Sequence, residues 1–412
     1  MWRLLVRGTF VYGTVRAFNR AIPYLLLPYL TLYLSPEEFG SLALFRSSLG
    51  IVTLLVGVST SSALNRYFFE LPTVEIAAWT YGSLALTACN AALITACLFF
   101  LKDQLSGWLG IDAFVLLTVP TVAFGYCALM LALDRWRHQM LFWRYAGLNV
   151  AQTLVDVGFT LFLVVMLGWG VLGRILGLGL SYISVGAIGV ALLYGAGQIC
   201  FQGKRTDYKR MLSFSAPLIP YALGAWALIS VDRYFLNSLV GPAQTGIYSV
   251  GFLFGSIIVV LQEIIAQAWG PVVFRAMSDN DRAKRKQLLQ LYLALVIGFI
   301  SIGLILSFAV PRLMVFFVGD AFTPAAAVVP WITWAFVLNA MRAFLVHFIQ
   351  FAKKNHLLMM STLIPAAAHI AISYSLITID GALGAAKALS ISMTIALLVT
   401  IVMARESIRL RV

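Results

Sequence analysis

The chain has 412 residues, of which 61% are hydrophobic and 11% charged, with a mean hydropathy of +0.92; a soluble domain carries roughly 25% charged residues. That composition excludes water as the main solvent, and about twelve crossings at roughly 34 residues each leave little chain for a soluble domain. The net charge of +13 would suit a nucleic acid, but there is no basic soluble face or recognition fold to hold one.

Apolar runs broken by Pro, Gly and charge predict spans at 10–34, 42–64, 76–101, 113–133, 146–167, 171–200, 212–239, 246–270, 288–310, 327–350, 357–378 and 382–403. The N-terminal segment carries Arg3 and Arg7, but the apolar run after it is interrupted by Arg16 and Arg20 and lacks a small-residue cleavage site. It reads as a retained first span rather than a signal peptide. The connections then sort by charge. The N-tail, every second connection and the C-tail hold twenty Lys and Arg residues, whereas the alternate connections hold only Lys102 and Arg312. Because basic loops stay inside, this fixes an even number of spans with both termini cytoplasmic.

The two halves echo each other. Pro36 and Gly40 follow the first span, and Pro242 and Gly246 follow the seventh, a Pro-x3-Gly displaced by 206 residues. Gly170-Val171-Leu172-Gly173 opens the sixth span and Gly381-Ala382-Leu383-Gly384 the twelfth, displaced by 211. An even number of spans per repeat makes the repeats parallel. The expected architecture is therefore all-α, with twelve transmembrane helices in two six-helix lobes, 1–203 and 204–412, around a central cavity that opens to either side.

Seven cations fall inside the expected spans: Arg16, Arg20, Arg46, Arg174, Arg233, Arg342 and Lys387. Each would cost roughly 2.5 to 3.5 kcal/mol facing lipid at mid-bilayer, so they must find water, partners or the interface. The spans hold only Asp156, Asp232 and Glu263 against them, which points to a solvated cationic cavity and an anionic ligand. Arg16 and Arg20 share one helix face and suit phosphate oxygens, with snorkelling to the interface as the alternative. Arg46, Arg233 and Arg342 are candidate cavity residues; Arg174 and Lys387 stand between cavity and interface anchor. A buried ion pair is the plain alternative for Asp232 and Arg233, which project about 100° apart and need not pair with each other. Asp156, Asp232 and Glu263 are candidates for Na+ or H+ coupling, with salt bridging to an arginine as the competing role. The histidines, His138, His347, His356 and His369, read as structural.

Several chemistries are absent from the pattern. Cys89, Cys97, Cys127 and Cys200 lack metal-ligand spacing. No phosphate-binding GxxxxGK[ST] loop, HExxH or Ser-His-Asp arrangement occurs, so neither an ATPase engine, a metal or other cofactor, nor an enzyme is expected.

The stretches Leu34-Ser35-Pro36-Glu37-Glu38-Phe39-Gly40, Asp232-Arg233-Tyr234-Phe235-Leu236, Gln244-Thr245-Gly246-Ile247-Tyr248-Ser249 and Gly381-Ala382-Leu383-Gly384-Ala385-Ala386 resemble the bacterial polysaccharide-exporter flippases. These belong to the multidrug, oligosaccharidyl-lipid and polysaccharide exporter superfamily. The resemblance implies an inner-membrane monomer that moves an undecaprenyl-diphosphate-linked oligosaccharide from the cytoplasmic to the periplasmic leaflet by alternating access. Such a protein would serve O-antigen or capsule assembly beside membrane lipids and polymerase machinery. Arg46 and Arg233 match the family's cationic positions in spans two and seven, and Arg16 and Arg20 its first-span basic cluster. Arg342 and Lys387 stand on the charge argument alone.

Four rivals remain. A lipid II-type flippase shares the family but has fourteen spans. A multidrug cation extruder would want an acidic cavity. A major-facilitator transporter would carry a Gly-rich basic signature after span two, where this chain has Asn65-Arg66-Tyr67-Phe68-Phe69-Glu70. A non-transporting scaffold of a polymer assembly would tolerate loss of its arginines.

Overall fold

The computed structural model describes residues 2–201, 205–278, 282–352 and 354–409. Among them the chain is helical, as a bilayer demands of any segment that must satisfy its own backbone groups. In order the helices are α1 (Trp2–Tyr33), α2 (Pro36–Gly57), α3 (Thr60–Tyr67), α4 (Thr73–Leu109), α5 (Ala113–His138), α6 (Phe142–Thr160) and α7 (Gly170–Gly195). There follow α8 (Arg205–Ser215), α9 (Ile219–Leu239), α10 (Pro242–Gly255), α11 (Ile257–Ser278), α12 (Arg282–Met314), α13 (Val329–Phe351) and α14 (Asn355–Arg409). Ten stretches among the described residues are long and apolar enough to cross a membrane, with a shorter apolar segment at Ala21–Tyr33 in α1. Helix α14 is two spans joined at Gly381, whose φ of 54° and ψ of −128° no helix interior adopts, so twelve crossings result.

The chain divides into two compact units. The first holds Met1–Leu34 and Ser41–Leu223, the second Ser35–Gly40 and Gly224–Val412; the lobes expected from the sequence were 1–203 and 204–412. The first unit packs around Trp136, Leu129, Leu193 and Tyr145 on one side and Trp79, Leu131 and Met211 on another. The second has a larger core that includes Trp269, Phe299, Phe336, Phe344 and Leu389.

Both sequence echoes are structural. In each Gly-x2-Gly copy the first glycine takes a left-handed φ, 52° at Gly170 and 54° at Gly381, which a side chain would resist. The second lies against the backbone of the preceding span: a Cβ on Gly173 would sit 3.0 Å from the Leu163 carbonyl, and one on Gly384 would collide with that of Leu376. Each motif is thus a tight turn from one span into the next. The two Pro-x3-Gly copies meet each other within the second unit. A Cβ on Gly40 would strike the Pro242 carbonyl oxygen, and one on Gly246 that of Pro36. Helix α2 also opens with a capping box, Ser35 N–H donating to Glu38 at 3.0 Å and Glu38 N–H to Ser35 Oγ at 3.3 Å.

Two expected spans are broken. The second ends α2 at Gly57 and resumes as α3, with Val58 and Ser59 at φ of 44° and 52°. The eighth is split at Ser256 into α10 and α11. A Gly246→Leu substitution has no room for its side chain, and overpacking against backbone costs about 3 kcal/mol. Its melting temperature in detergent is expected to fall well below that of wild type. Gly298→Leu, where nothing lies within 4 Å of the added Cβ, should melt as wild type does.

Candidate functional site

Within each unit the intramembrane charges that the structure describes make their own local contacts. In the first unit, α6 carries Asp156 and α7 carries Arg174, both buried at 9% and 3% exposure. Arg174 forks onto the carboxylate, Nη1 to Oδ1 at 2.5 Å and Nη2 to Oδ2 at 3.3 Å, and Nη1 also donates to Thr160 Oγ1 at 2.7 Å. A bidentate pair with a third acceptor is the geometry in which mutual attraction offsets the cost of taking two ions out of water. The helix passes directly into a π-helical stretch, Leu161–Met166, the wider turn that often marks functional positions in a span. One turn before Asp156, Thr153 donates to Asn19 Oδ1 of α1 at 2.8 Å, and Asn19 donates to Asn149. These amides hold the arginine-bearing α1 onto α6. The side chains of Arg16 and Arg20 themselves lie outside the described residues.

Arg46 of α2 is exposed, with Ser47 and Ser48 buried beside it. In the second unit Arg233 is buried, its guanidinium 4.4 Å from the Phe252 ring centre and 5.6 Å from that of Tyr248. It donates to the Ile229 carbonyl one turn back at 2.5 Å. A guanidinium laid on aromatic faces is held by the ring quadrupoles and keeps donors for an anion. Its sequence neighbour Asp232 turns to Tyr248 of α10 and to α14, so the two share the Tyr248 side chain as a neighbour.

Asp232 is fully buried among donors. Tyr248 donates to its Oδ2 at 2.8 Å, Ser373 donates to Oδ1, and His369 Nε2 lies 3.0 Å from Oδ1. His369 Nδ1 sits 2.9 Å from Ser392 Oγ. From the sequence His369 reads as structural, and a buried imidazole beside Asp232 and Ser392 agrees with that, but the partnership with Asp232 was not foreseen. His369 and Ser373 are four residues apart on one helix face, and that polar stripe was the available signal.

Arg342 of α13 is half-buried and reaches Thr362 Oγ1 at 2.8 Å, the Ser361 carbonyl at 3.3 Å and Asn339 Oδ1 at 3.4 Å. Asn339 in turn donates to Gln262 at 3.2 Å, next to the half-buried Glu263 of α11. Lys387 pairs with Asp380 and lies 5.9 Å from the Trp331 ring centre. Asp380 falls in the short gap left between the expected spans eleven and twelve, so the charge balance is seven cations against four carboxylates rather than three. A roomy groove of about 700 Å³, lined by Trp136, Arg144, Gly147 and Ala191 among others, holds none of these residues. No group of three or more metal-ligating side chains occurs among the described residues.

Against known proteins, residues 5–277 match the family model described as Polysaccharide biosynthesis protein. The chain belongs to this family. Of its relatives, an uncharacterized membrane protein of Haemophilus influenzae is 23% identical over 329 residues, 77% of each chain. A second H. influenzae protein, of the Lsg locus, is 21% identical over 390 residues, 90% of this chain and 91% of its own. The fold is similar to that of solved MOP superfamily transporters. A multidrug resistance MATE family transporter in its inward-facing conformation superposes with a TM-score of 0.76 at 16% identity, over 96% of this chain and 94% of the other. A MOP superfamily transporter from Pyrococcus furiosus superposes with a TM-score of 0.66 at 17% identity, over 99% and 94%. Family and fold make the chain a multi-pass membrane protein with the fold of solved transporters.

The Arg174 pair gives a stability test. Arg174→Met alone leaves a buried carboxylate without its counter-ion, and Asp156→Leu alone leaves a buried guanidinium; each should cost about 3 to 5 kcal/mol. Both single variants are expected to lose folded yield on size exclusion. The double variant Asp156→Leu/Arg174→Met should recover it, since an apolar pair of similar volume removes both charges at once.

Proposed function

We propose that the chain is a flippase that moves an undecaprenyl-diphosphate-linked oligosaccharide from the cytoplasmic to the periplasmic leaflet of the bacterial inner membrane by alternating access. The observation that carries this reading is the charge balance inside the spans. Asp156 is committed to Arg174, Asp380 to Lys387, and Asp232 to His369, Ser373 and Tyr248. Arg46, Arg233 and Arg342 come in addition to these pairs, with Arg16 and Arg20 on α1. A diphosphate is the membrane-borne group such a surplus suits best: it carries spread negative charge and planar oxygen edges that accept guanidinium forks.

Each candidate contributes differently. Arg46 is exposed on α2, with the hydroxyls of Ser47 and Ser48 beside it in the chain. Arg233 sits on Phe252 and Tyr248, aromatic faces of the kind against which a sugar ring also stacks. Arg342, with Thr362, Asn339 and Gln262 around it, adds hydroxyl and amide groups of the kind that hydrogen-bond glycan hydroxyls. The cationic balance separates this reading from extrusion of an organic cation on the same fold, which calls for surplus carboxylates. Transport uphill needs a second ion, Na+ or H+, for which the carboxylates inside the spans, Asp156, Asp232 and Glu263, are the candidates.

Arg46→Ala or Arg233→Ala is expected to reduce translocation of the lipid-linked oligosaccharide at least tenfold in proteoliposomes, and to abolish surface polymer in cells, while the protein still inserts. A fully active Arg46→Ala/Arg233→Ala double variant would refute the reading.

A further inference from the structure

The groove of about 700 Å³ between α5, α6 and α7 is lined by Trp136 from the last turn of α5, by Arg144, Gly147 and Ala151 from the first three turns of α6, and by Ala191 and Gly195 from the end of α7. These helix ends all lie on the side where Lys and Arg collect in the connections, so the groove opens at headgroup level and runs inward, about 10 Å along α6 from Arg144 to Ala151. Its chemistry changes in that direction. At the mouth Arg144 is exposed and makes no ion pair or hydrogen bond among the described residues, whereas Arg137 of α5 is taken by Asp134 at 2.8 Å. Trp136 is 2% exposed, and its indole N–H has no acceptor. The rest of the lining is apolar. Trp143 and Tyr194, neighbours of Arg144 and Gly195 in the chain, are 75% and 73% exposed, as aromatic residues are at a membrane interface.

The glycines of this groove differ from those that let helices touch. A Cβ on Gly189 of α7 would sit 2.9 Å from Ala132 and 3.1 Å from Leu148, so that glycine is small because protein lies against it. A Cβ on Gly147 or Gly195 would meet nothing within 4 Å. Neither residue takes the left-handed φ for which a turn needs glycine, and glycine within a helix lowers its stability relative to alanine. Their smallness keeps open a channel that the protein's own side chains do not fill.

We propose that the groove binds one anionic phospholipid from the leaflet around it. The phosphodiester pairs with Arg144, the indole N–H of Trp136 serves the ester carbonyls, and one acyl chain lies along Gly147, Ala151 and Ala191. A cation and a donor at the mouth with an apolar wall beneath repeat the order of groups along such a lipid, and basic pockets between spans are where anionic headgroups settle. One guanidinium also matches the single charge of a phosphodiester. The diphosphate of a polyprenyl carrier calls for several, and the residues proposed to hold it, Arg46, Arg233 and Arg342, are not in the groove. The lipid gives Trp136 an acceptor, which a buried N–H otherwise lacks at a cost. It bridges α6 and α7, and by binding the folded chain alone it stabilises that state. The site is separate from the cargo and independent of what the protein carries.

The test uses full-length protein stripped of lipid in detergent and titrated with phosphatidylglycerol, with phosphatidylcholine of the same acyl chains, or with undecaprenyl phosphate. Bound lipids are counted by native mass spectrometry, and the melting temperature is followed in parallel. The first phosphatidylglycerol is expected to bind about fivefold more tightly than phosphatidylcholine, the worth of one surface cation, and to raise the melting temperature. Arg144→Gln should bind the two phospholipids equally. Gly147→Leu, whose side chain enters open space, should fold and melt no lower than lipid-free wild type, yet lose both the bound lipid and the rise that phosphatidylglycerol gives. An Arg144→Gln protein that keeps the preference, or a Gly147→Leu protein that keeps the lipid, would overturn the site. Tighter binding of undecaprenyl phosphate than of phosphatidylglycerol, or a wild type that dimerises through this face in place of binding lipid, would overturn the occupant. Neither readout involves transport, so the outcome stands apart from the flippase reading.

Discussion

An ion in hydrocarbon is held only if something nearby compensates it, and that rule organises this molecule more than any other. Moving a lone guanidinium to mid-bilayer costs more than a buried side chain recovers by packing. Three carboxylates inside or between the spans are answered by specific partners on other helices or across a turn: Asp156 by Arg174, Asp232 by His369, and Asp380 by Lys387. The first two pairs also tie spans together, α6 to α7 and α9 to α14. Structure and charge compensation are therefore the same contacts.

The same division of labour appears in the backbone. Glycines are placed where helices must touch without side chains, at Gly40 and Gly246, or where the chain must turn sharply between spans, at Gly170 and Gly381. Both kinds recur at matching points of the two halves. A duplicated unit keeps its turn chemistry because the turn tolerates few other residues, while the apolar faces between the turns can change freely in lipid.

Much of the fold was legible in the sequence, and much of the site was not. Spans could be read because hydrophobic length and Lys/Arg sorting are local signals of large amplitude. Breaks at Val58 and Ser256 left no such signal, and the helices α4 and α12 run past the expected span ends because helix continues beyond the hydrocarbon. The cations inside the apolar runs were conspicuous, whereas Arg135, read as part of a connection, is buried near the end of α5. Their partners were harder. Asp380 was lost in a gap of three residues between spans, and the match of His369 to Asp232 joins positions 137 residues apart, which only the packing of α14 on α9 reveals.

The central claim is that the surplus guanidinium charge serves a diphosphate-bearing lipid. Equilibrium binding of an undecaprenyl diphosphate to the purified protein in nanodiscs, compared with the uncharged undecaprenyl alcohol, tests it most directly. The account predicts tight binding of the diphosphate that weakens with added salt and with inorganic pyrophosphate, and at least tenfold weaker binding of the alcohol. Equal binding of the two lipids, or displacement by an organic cation in place of pyrophosphate, would contradict it.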